Sequence, residues 1–234
     1  MSDVDDTLLG NDEALERFRA ATADVDLSLV LNSSRPVASV VRSLRHTALA
    51  GLEVDGVIGA LGTEIELGGG PLGDWSAQFA DFDRDAVAAA VAPFGAVPHA
   101  AEFQTAAKAS FAIAPGRWDD ARHAVTALGF PVRVITSGAD NFDVIPGAAG
   151  KAAAVRHVAA WLGIPSERVM TAGDSENDAD MLVAGNAIVV GNASPGLVEL
   201  VRATAYLARG FHADGVVEGL RHHGVPLPAS TRHE

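Results

Sequence analysis

Apolar positions along the chain fall into short continuous runs separated by amphipathic stretches. Residues 11–22 (NDEALERFRAAT) have helical spacing, with acidic groups in the first turn where they suit the helix dipole. Leu27 to Leu31 (LSLVL) is an unbroken apolar run, as expected of a strand buried on both faces. A helix from about Pro36 to Leu49 and a strand from Gly56 to Leu61 follow. The grammar returns late: a helix over Lys151–Leu162, closed by Gly163 and Pro165, precedes a strand at Arg168–Ala172. A short helix through Met181–Leu182, a strand at Ala187–Val190, a helix from Pro195 to Arg202 and a last helix over Val216–Arg221 complete the pattern. Strands alternating with helices predict an α/β fold around a parallel, Rossmann-like sheet.

The middle reads differently. The Gly-rich stretch GGGPLGD at 68–74 predicts a loop and a boundary. Beyond it we expect helix 83–92, strand 106–113, helix 117–128 and strand 131–136, with SGADNFD (137–143) as a loop. Strand 106–113 (AAKASFAI) alternates, which suits a sheet covered on one side. The expected organisation is a discontinuous core domain, 1–75 and 148–234, interrupted by an α/β cap domain at 76–147.

Composition narrows the chemistry. The 234 residues carry 17 Lys plus Arg against 30 Asp plus Glu, a net −13 that argues against nucleic acid or an anionic membrane as partner. No cysteine is present, so thiolate zinc sites and cysteine nucleophiles are excluded. With no apolar run long enough for a membrane helix and an acidic start (MSDVDD), a cytoplasmic protein, monomeric or weakly dimeric, is the expectation.

Four segments can carry chemistry. In DVDDT (3–7), Asp3 and Asp5 would share one side of an extended segment and could hold Mg²⁺; a solvated acidic terminus accounts for them equally well. GDSENDAD (173–180) follows an apolar strand, where α/β sheets bind ligands; a helix-capping loop is the plainer account. A calcium loop fails there, because Ala179 stands where glycine is required. LNSSRP (31–36) ends a strand in hydroxyls before a helix, either a phosphate cradle or a simple N-cap. Lys151 opens a helix against the dipole and asks for an anionic partner, although an exposed lysine would cost little.

Their order and spacing resemble the haloacid dehalogenase-like (HAD) superfamily of phosphohydrolases over nearly the whole chain. GALGTEI (59–65), KASF (108–111), FDVIPGAAGK (142–151) and VVGNAS (189–194) resemble its sucrose-phosphate-phosphatase-like, Cof-type branch. That resemblance implies a Mg²⁺-dependent sugar-phosphate phosphatase, with a disaccharide phosphate as a candidate substrate. Asp3 would be the nucleophile and Asp5 the acid and then base. Ser33 and the Ser34 amide would hold phosphate oxygens, beside Arg35, Gly62 and Thr63 among the substrate-binding candidates. Lys151 would offset charge, and Asp3, the Asp5 carbonyl, Asp174 and Asp178 would hold or support the metal, with Asn177 orienting the site. The cap would offer Lys108, Glu102, Gln104, Asp140 and Asn141 to substrate hydroxyls. An acid at Asp5 favours phosphate esters over carbon–halogen bonds. A hexose phosphomutase, or a binding or regulatory protein on the same fold, are the alternatives. Ser34 stands where the family usually has glycine, which ordinary backbone angles would tolerate. The 137–146 loop also looks one residue longer than the common pattern. Only Met1 and Ser2 precede Asp3, which implies either a stub of a first strand or a natural start a few apolar residues upstream.

Overall fold

The computed structural model describes residues 1–46, 49–183 and 186–228. The first part of the chain forms α1 (Asp12–Thr22), β1 (Val30–Asn32), α2 (Val37–His46), β2 (Gly56–Gly59), β3 (Glu64–Leu67), β4 (Gly70–Pro71) and α3 (Gly73–Ala77). Next come α4 (Arg84–Val91), β5 (Val97–Pro98), β6 (Ala109–Ala112), α5 (Trp118–Thr126), β7 (Val132–Ser137) and β8 (Asn141–Pro146). The rest supplies α6 (Lys151–Trp161), β9 (Met170–Gly173), α7 (Ala179–Leu182), β10 (Asn186–Val189), α8 (Pro195–Val201), β11 (Tyr206–Leu207) and α9 (His212–His222).

The large sheet has two halves, β11-β10-β9 and β1-β2-β3-β4. They are joined by the first residues of the chain, which lie parallel between β9 and β1. Ser2 donates to Val30 O at 3.0 Å and accepts from Asn32 N at 2.8 Å, while Asp3 N reaches Ala172 O at 2.9 Å. Asp3 thus leaves the sheet at the carboxyl ends of β1 and β9, where α/β folds place their ligands.

Adjacent strand residues point to opposite faces, and the core records it. Val30, Ile58, Ala187 and Val189 pack with Ala154, Val158, Leu182 and Leu197 on one face. Leu31, Val57, Ala172 and Ile188 pack with Leu15, Phe18, Val40 and Val216 on the other. Continuous apolar runs are what a doubly covered strand requires.

The sheet is parallel from its β11 edge through β2 and antiparallel beyond it. β3 runs antiparallel to β2 and turns through Gly68–Gly69 into β4, so the stretch expected as a loop at 68–74 holds a hairpin tip instead. The second sheet, ordered β5-β6-β8-β7, is wholly antiparallel. It corrects the expected loop at SGADNFD: β7 and β8 form a hairpin there. Phe142 and Val144 face Val87, Val125 and Phe111 beneath α4 and α5, while Asn141, Asp143 and Ile145 face the other way. That alternation, masked by the polar letters of the turn, is the strand signal. Among the described residues no helix is long and apolar enough to cross a membrane.

Candidate active site

Four side chains from three parts of the chain converge at the strand ends. Lys151 Nζ, fully buried, donates to Asp3 Oδ1 at 2.6 Å and to Asp178 Oδ1 at 2.5 Å. Asp178 turns its other oxygen to the amides of Asp174 (3.1 Å) and Ser175 (3.2 Å), which fixes the GDSEND loop. Thr7 Oγ1 donates to Asp174 Oδ1 at 2.9 Å, tying that loop to the segment after Asp3. Oxygens of Asp3, Asp174 and Asp178 all lie within 4.8 Å of one another.

Backbone geometry aims the lysine. Gly150 precedes α6 with φ +134, and Gly62 adopts φ +87 directly against it. A Cβ on Gly62 would stand 2.3 Å from Gly150 O and 2.5 Å from its carbonyl carbon, so only glycine fits. Thr63 spends its hydroxyl on Ala60 O at 3.0 Å. Of these two residues, expected near substrate, Gly62 lies against the start of α6 and Thr63 closes the turn on Ala60.

Three carboxylates surround a single ammonium, and two of them, Asp3 and Asp174, are held above the ordinary carboxylate range. Burial, with Asp178 close by, pushes the Asp174 carboxyl up to about 7. Burial likewise raises Asp3 well above the ordinary carboxylate range, against the pull of Lys151. Burial alone would lower Lys151, but Asp178 and Asp3 outweigh it and keep the ammonium charged. The cluster is short of positive charge, and its donors are hard oxygens. Both features fit a hard, oxygen-seeking divalent cation better than a soft or nitrogen-seeking metal.

Asp5 is placed differently from the extended-segment expectation. The chain turns after Val4, and Asp6 takes a left-handed φ of +60. The Asp5 carboxylate, half exposed, therefore leaves the cluster and pairs with Arg35 Nε at 2.9 Å. Arg35 also donates to Ser43 Oγ at 3.1 Å and keeps a buried Nη2 with no hydrogen-bond partner among the described residues. Ser33 is buried, and its Oγ accepts from Arg35 N at 3.1 Å. Ser34 has no left-handed backbone, so the missing glycine costs nothing. Asn177 Oδ1 is buried and has no hydrogen-bond partner among the described residues.

The second sheet reaches this site through Lys108. Its Nζ donates to Ser34 O at 3.0 Å and lies 3.3 Å from Asp143 Oδ1, with the side chain almost wholly buried. Asp143, paired across the sheet with Ser110, accepts a short hydrogen bond from the Ser110 hydroxyl, and His99 Nδ1 is 3.0 Å from that hydroxyl. Asn141 shares this face two residues from Asp143. Gln104 is committed to the main chain, bonding His99 O, Ser110 O and Ser110 N. Glu102 and Asp140 are exposed. Asp143, Ser110, His99 and Thr7 escaped the sequence reading; an Asp inside the apolar run FDVI was the available signal for the first.

Comparisons with known proteins agree with this geometry. The family model for sucrose-6F-phosphate phosphohydrolase matches residues 1–224. Mannosylfructose-phosphate phosphatase from Agrobacterium fabrum is 30% identical over 256 residues, covering 96% of each chain. The crystal structure of sucrose-phosphatase from Synechocystis, solved with sucrose and phosphate, superposes with a TM-score of 0.89 at 24% identity, covering 95% of this chain and 96% of that one. A HAD subclass IIB sugar phosphatase superposes at 0.73 with 17% identity, covering 96% and 98%. The family model runs from residue 1 to 224 and the HAD subclass IIB likeness is one of fold, so the chain belongs to the sucrose-6F-phosphate phosphohydrolase family, hydrolases of phosphoric monoesters.

Proposed function

We propose that this protein hydrolyses a disaccharide phosphate that carries a fructosyl unit, using Mg²⁺ and an aspartyl-phosphate intermediate. The observation that carries the reading is the convergence of Asp3, Lys151, Asp174 and Asp178 at the strand ends, under Lys108 of the second sheet. The substrate class rests on the matched family and one relative, whose names specify sucrose-6F-phosphate and mannosylfructose-phosphate.

In this account Asp3 Oδ attacks phosphorus and the bond to the leaving sugar oxygen breaks. Lys151 keeps its charge and faces the developing negative charge on the transferring group. Asp5 lies outside the anionic cluster, where it can give its proton to the sugar alkoxide and then take one from the water that cleaves the acyl phosphate. Ser33 and the Ser34 amide hold phosphate oxygens at the end of β1. Asp3 and Asp174, with the Asp5 carbonyl, would hold Mg²⁺, which supplies positive charge to the phosphoryl oxygens when bound. Asp178, with one oxygen on Lys151 and the other on two amides, is better suited to orienting its neighbours than to direct ligation. We assign residues 76–147 the role of a cap, in which Lys108 retains one free N–H for a sugar hydroxyl and Asn141 lies on the same face.

Phosphate release from sucrose 6F-phosphate, mannosylfructose-phosphate, glucose 6-phosphate and phosphoglycolate tests this directly. The expected order puts both disaccharide phosphates first in kcat/KM, with all turnover lost in EDTA. Preference for glucose 6-phosphate or phosphoglycolate would overturn the substrate assignment. Isomerised sugar phosphate without free phosphate would identify a mutase.

A further inference from the structure

The Asp6 carbonyl is gripped from two directions, and the proposed chemistry leaves that grip unused. Asn192 Nδ2 donates to it at 2.7 Å, and His212 Nδ1 lies 3.0 Å away, close enough to donate when the proton is on Nδ1. The two residues are themselves coupled, since Asn192 Oδ1 accepts from His212 N at 2.7 Å. That bond sets the amide so that Nδ2 faces Asp6. Both Asp6 and His212 hold left-handed backbones, with φ +60 and +51, uncommon for residues other than glycine. Gly10 (φ +114) lies against the imidazole so closely that a Cβ would stand 2.4 Å from His212 Cε1. The same turn after β10 also anchors the metal-binding loop, because Ser194 N donates to Asp174 O at 2.8 Å.

We propose that Asn192 and His212 are positioning residues for the Asp5 carboxyl: by clamping the neighbouring Asp6 carbonyl they fix the turn from which Asp5 reaches the leaving group. Asp5 needs such help. Its carboxylate is half exposed, sits on irregular backbone, and is paired only with Arg35 among the described ion pairs. The proposal rests on the reading of Asp5 as general acid, and its test separates the two.

The measurement is kcat/KM for two probes: sucrose 6F-phosphate, whose alkoxide must be protonated, and 4-nitrophenyl phosphate, whose phenolate departs unprotonated. The variants are Asn192→Ala, Asn192→Ser, His212→Gly (which tolerates the backbone angle) and Asp5→Asn, each checked for a cooperative melt. Loss of the clamp should cost the sugar phosphate about 10-fold or more beyond the loss on the aryl phosphate, since a placed general acid contributes ~10²–10⁴. Asp5→Asn should show the same skew, larger. A skew in Asp5→Asn with equal losses, or none, in the folded clamp variants overturns the clamp. Equal losses on both probes in Asp5→Asn overturn the role of Asp5 instead. A fold defect alone would depress both probes alike.

Discussion

Gly62→Ala is the substitution for which the structure gives the sharpest expectation. The added methyl would lie 2.3 Å from Gly150 O, 2.5 Å from Gly150 C and 3.0 Å from Lys151 N, whereas ordinary contact begins near 3.4 Å. The obstacle is backbone, so a rotamer change cannot relieve it, and the 150–151 peptide must retreat by about 1 Å. Alanine at φ +87 adds about 1–2 kcal/mol for the left-handed conformation. Overpacking adds about 1–3 kcal/mol more, for a total of roughly 2–5 kcal/mol. For a chain of this size that lowers Tm on the order of 10 °C. Displacing the first residue of α6 also moves Lys151 Nζ away from Asp3 and Asp178, and a ~1 Å misplacement costs about 10²-fold in rate. Calorimetry and phosphate release on the same preparation read both effects. A variant with wild-type Tm and wild-type kcat would refute the view that Gly62 exists to let Gly150 and Lys151 approach.

Three further outcomes follow from the same geometry. Asp174 has a folded-state pKa raised from 3.8 to about 7, so its stabilising contribution is present below about pH 4 and fades as pH rises through 7. The metal-free protein should therefore lose Tm between pH 5 and 8 in EDTA, with Mg²⁺ restoring more at pH 8 than at pH 5; a flat or rising Tm in EDTA contradicts this. Lys151→Met leaves the buried carboxylates without their ammonium, so turnover should vanish and stability fall by about 3–5 kcal/mol in urea at pH 8. The fall should shrink at pH 5, where Asp174 holds a proton; an equal fall at both pH values would count against the charge imbalance. Lys108→Met should raise KM for sucrose 6F-phosphate at least 10-fold while changing 4-nitrophenyl phosphate turnover less than about 3-fold; equal effects on both probes would remove Lys108 from sugar recognition.

The strands of the core were legible where burial on both faces leaves an apolar run, as in Val30–Leu31 and Ala187–Val190. Their bounds shifted by up to three residues, since polar Asn32 completes β1 while Leu27 and Leu29 lie before it. β8 was hidden because its outward face carries Asn141 and Asp143, which read as turn letters until the partner strand is known. Within the site, motif order found Asp3, Ser33, Lys151, Asp174 and Asp178, all of which the fold draws to one end of the sheet. Motif order could not show that Gly62 also permits a backbone approach between segments nearly ninety residues apart in sequence. It also overlooked Asn192 and His212, because a hydrogen bond to a main-chain carbonyl leaves no pattern in side-chain letters.

The central claim is that Asp3 becomes phosphorylated. Rapid quench of the Mg²⁺-bound enzyme in acid during turnover of ³²P-labelled sucrose 6F-phosphate, followed by peptide mapping, measures it. The account predicts acid-stable, base-labile label on the peptide containing Asp3, absent from Asp3→Asn, which should also release no phosphate. Label at another residue, or full turnover by Asp3→Asn, would contradict it.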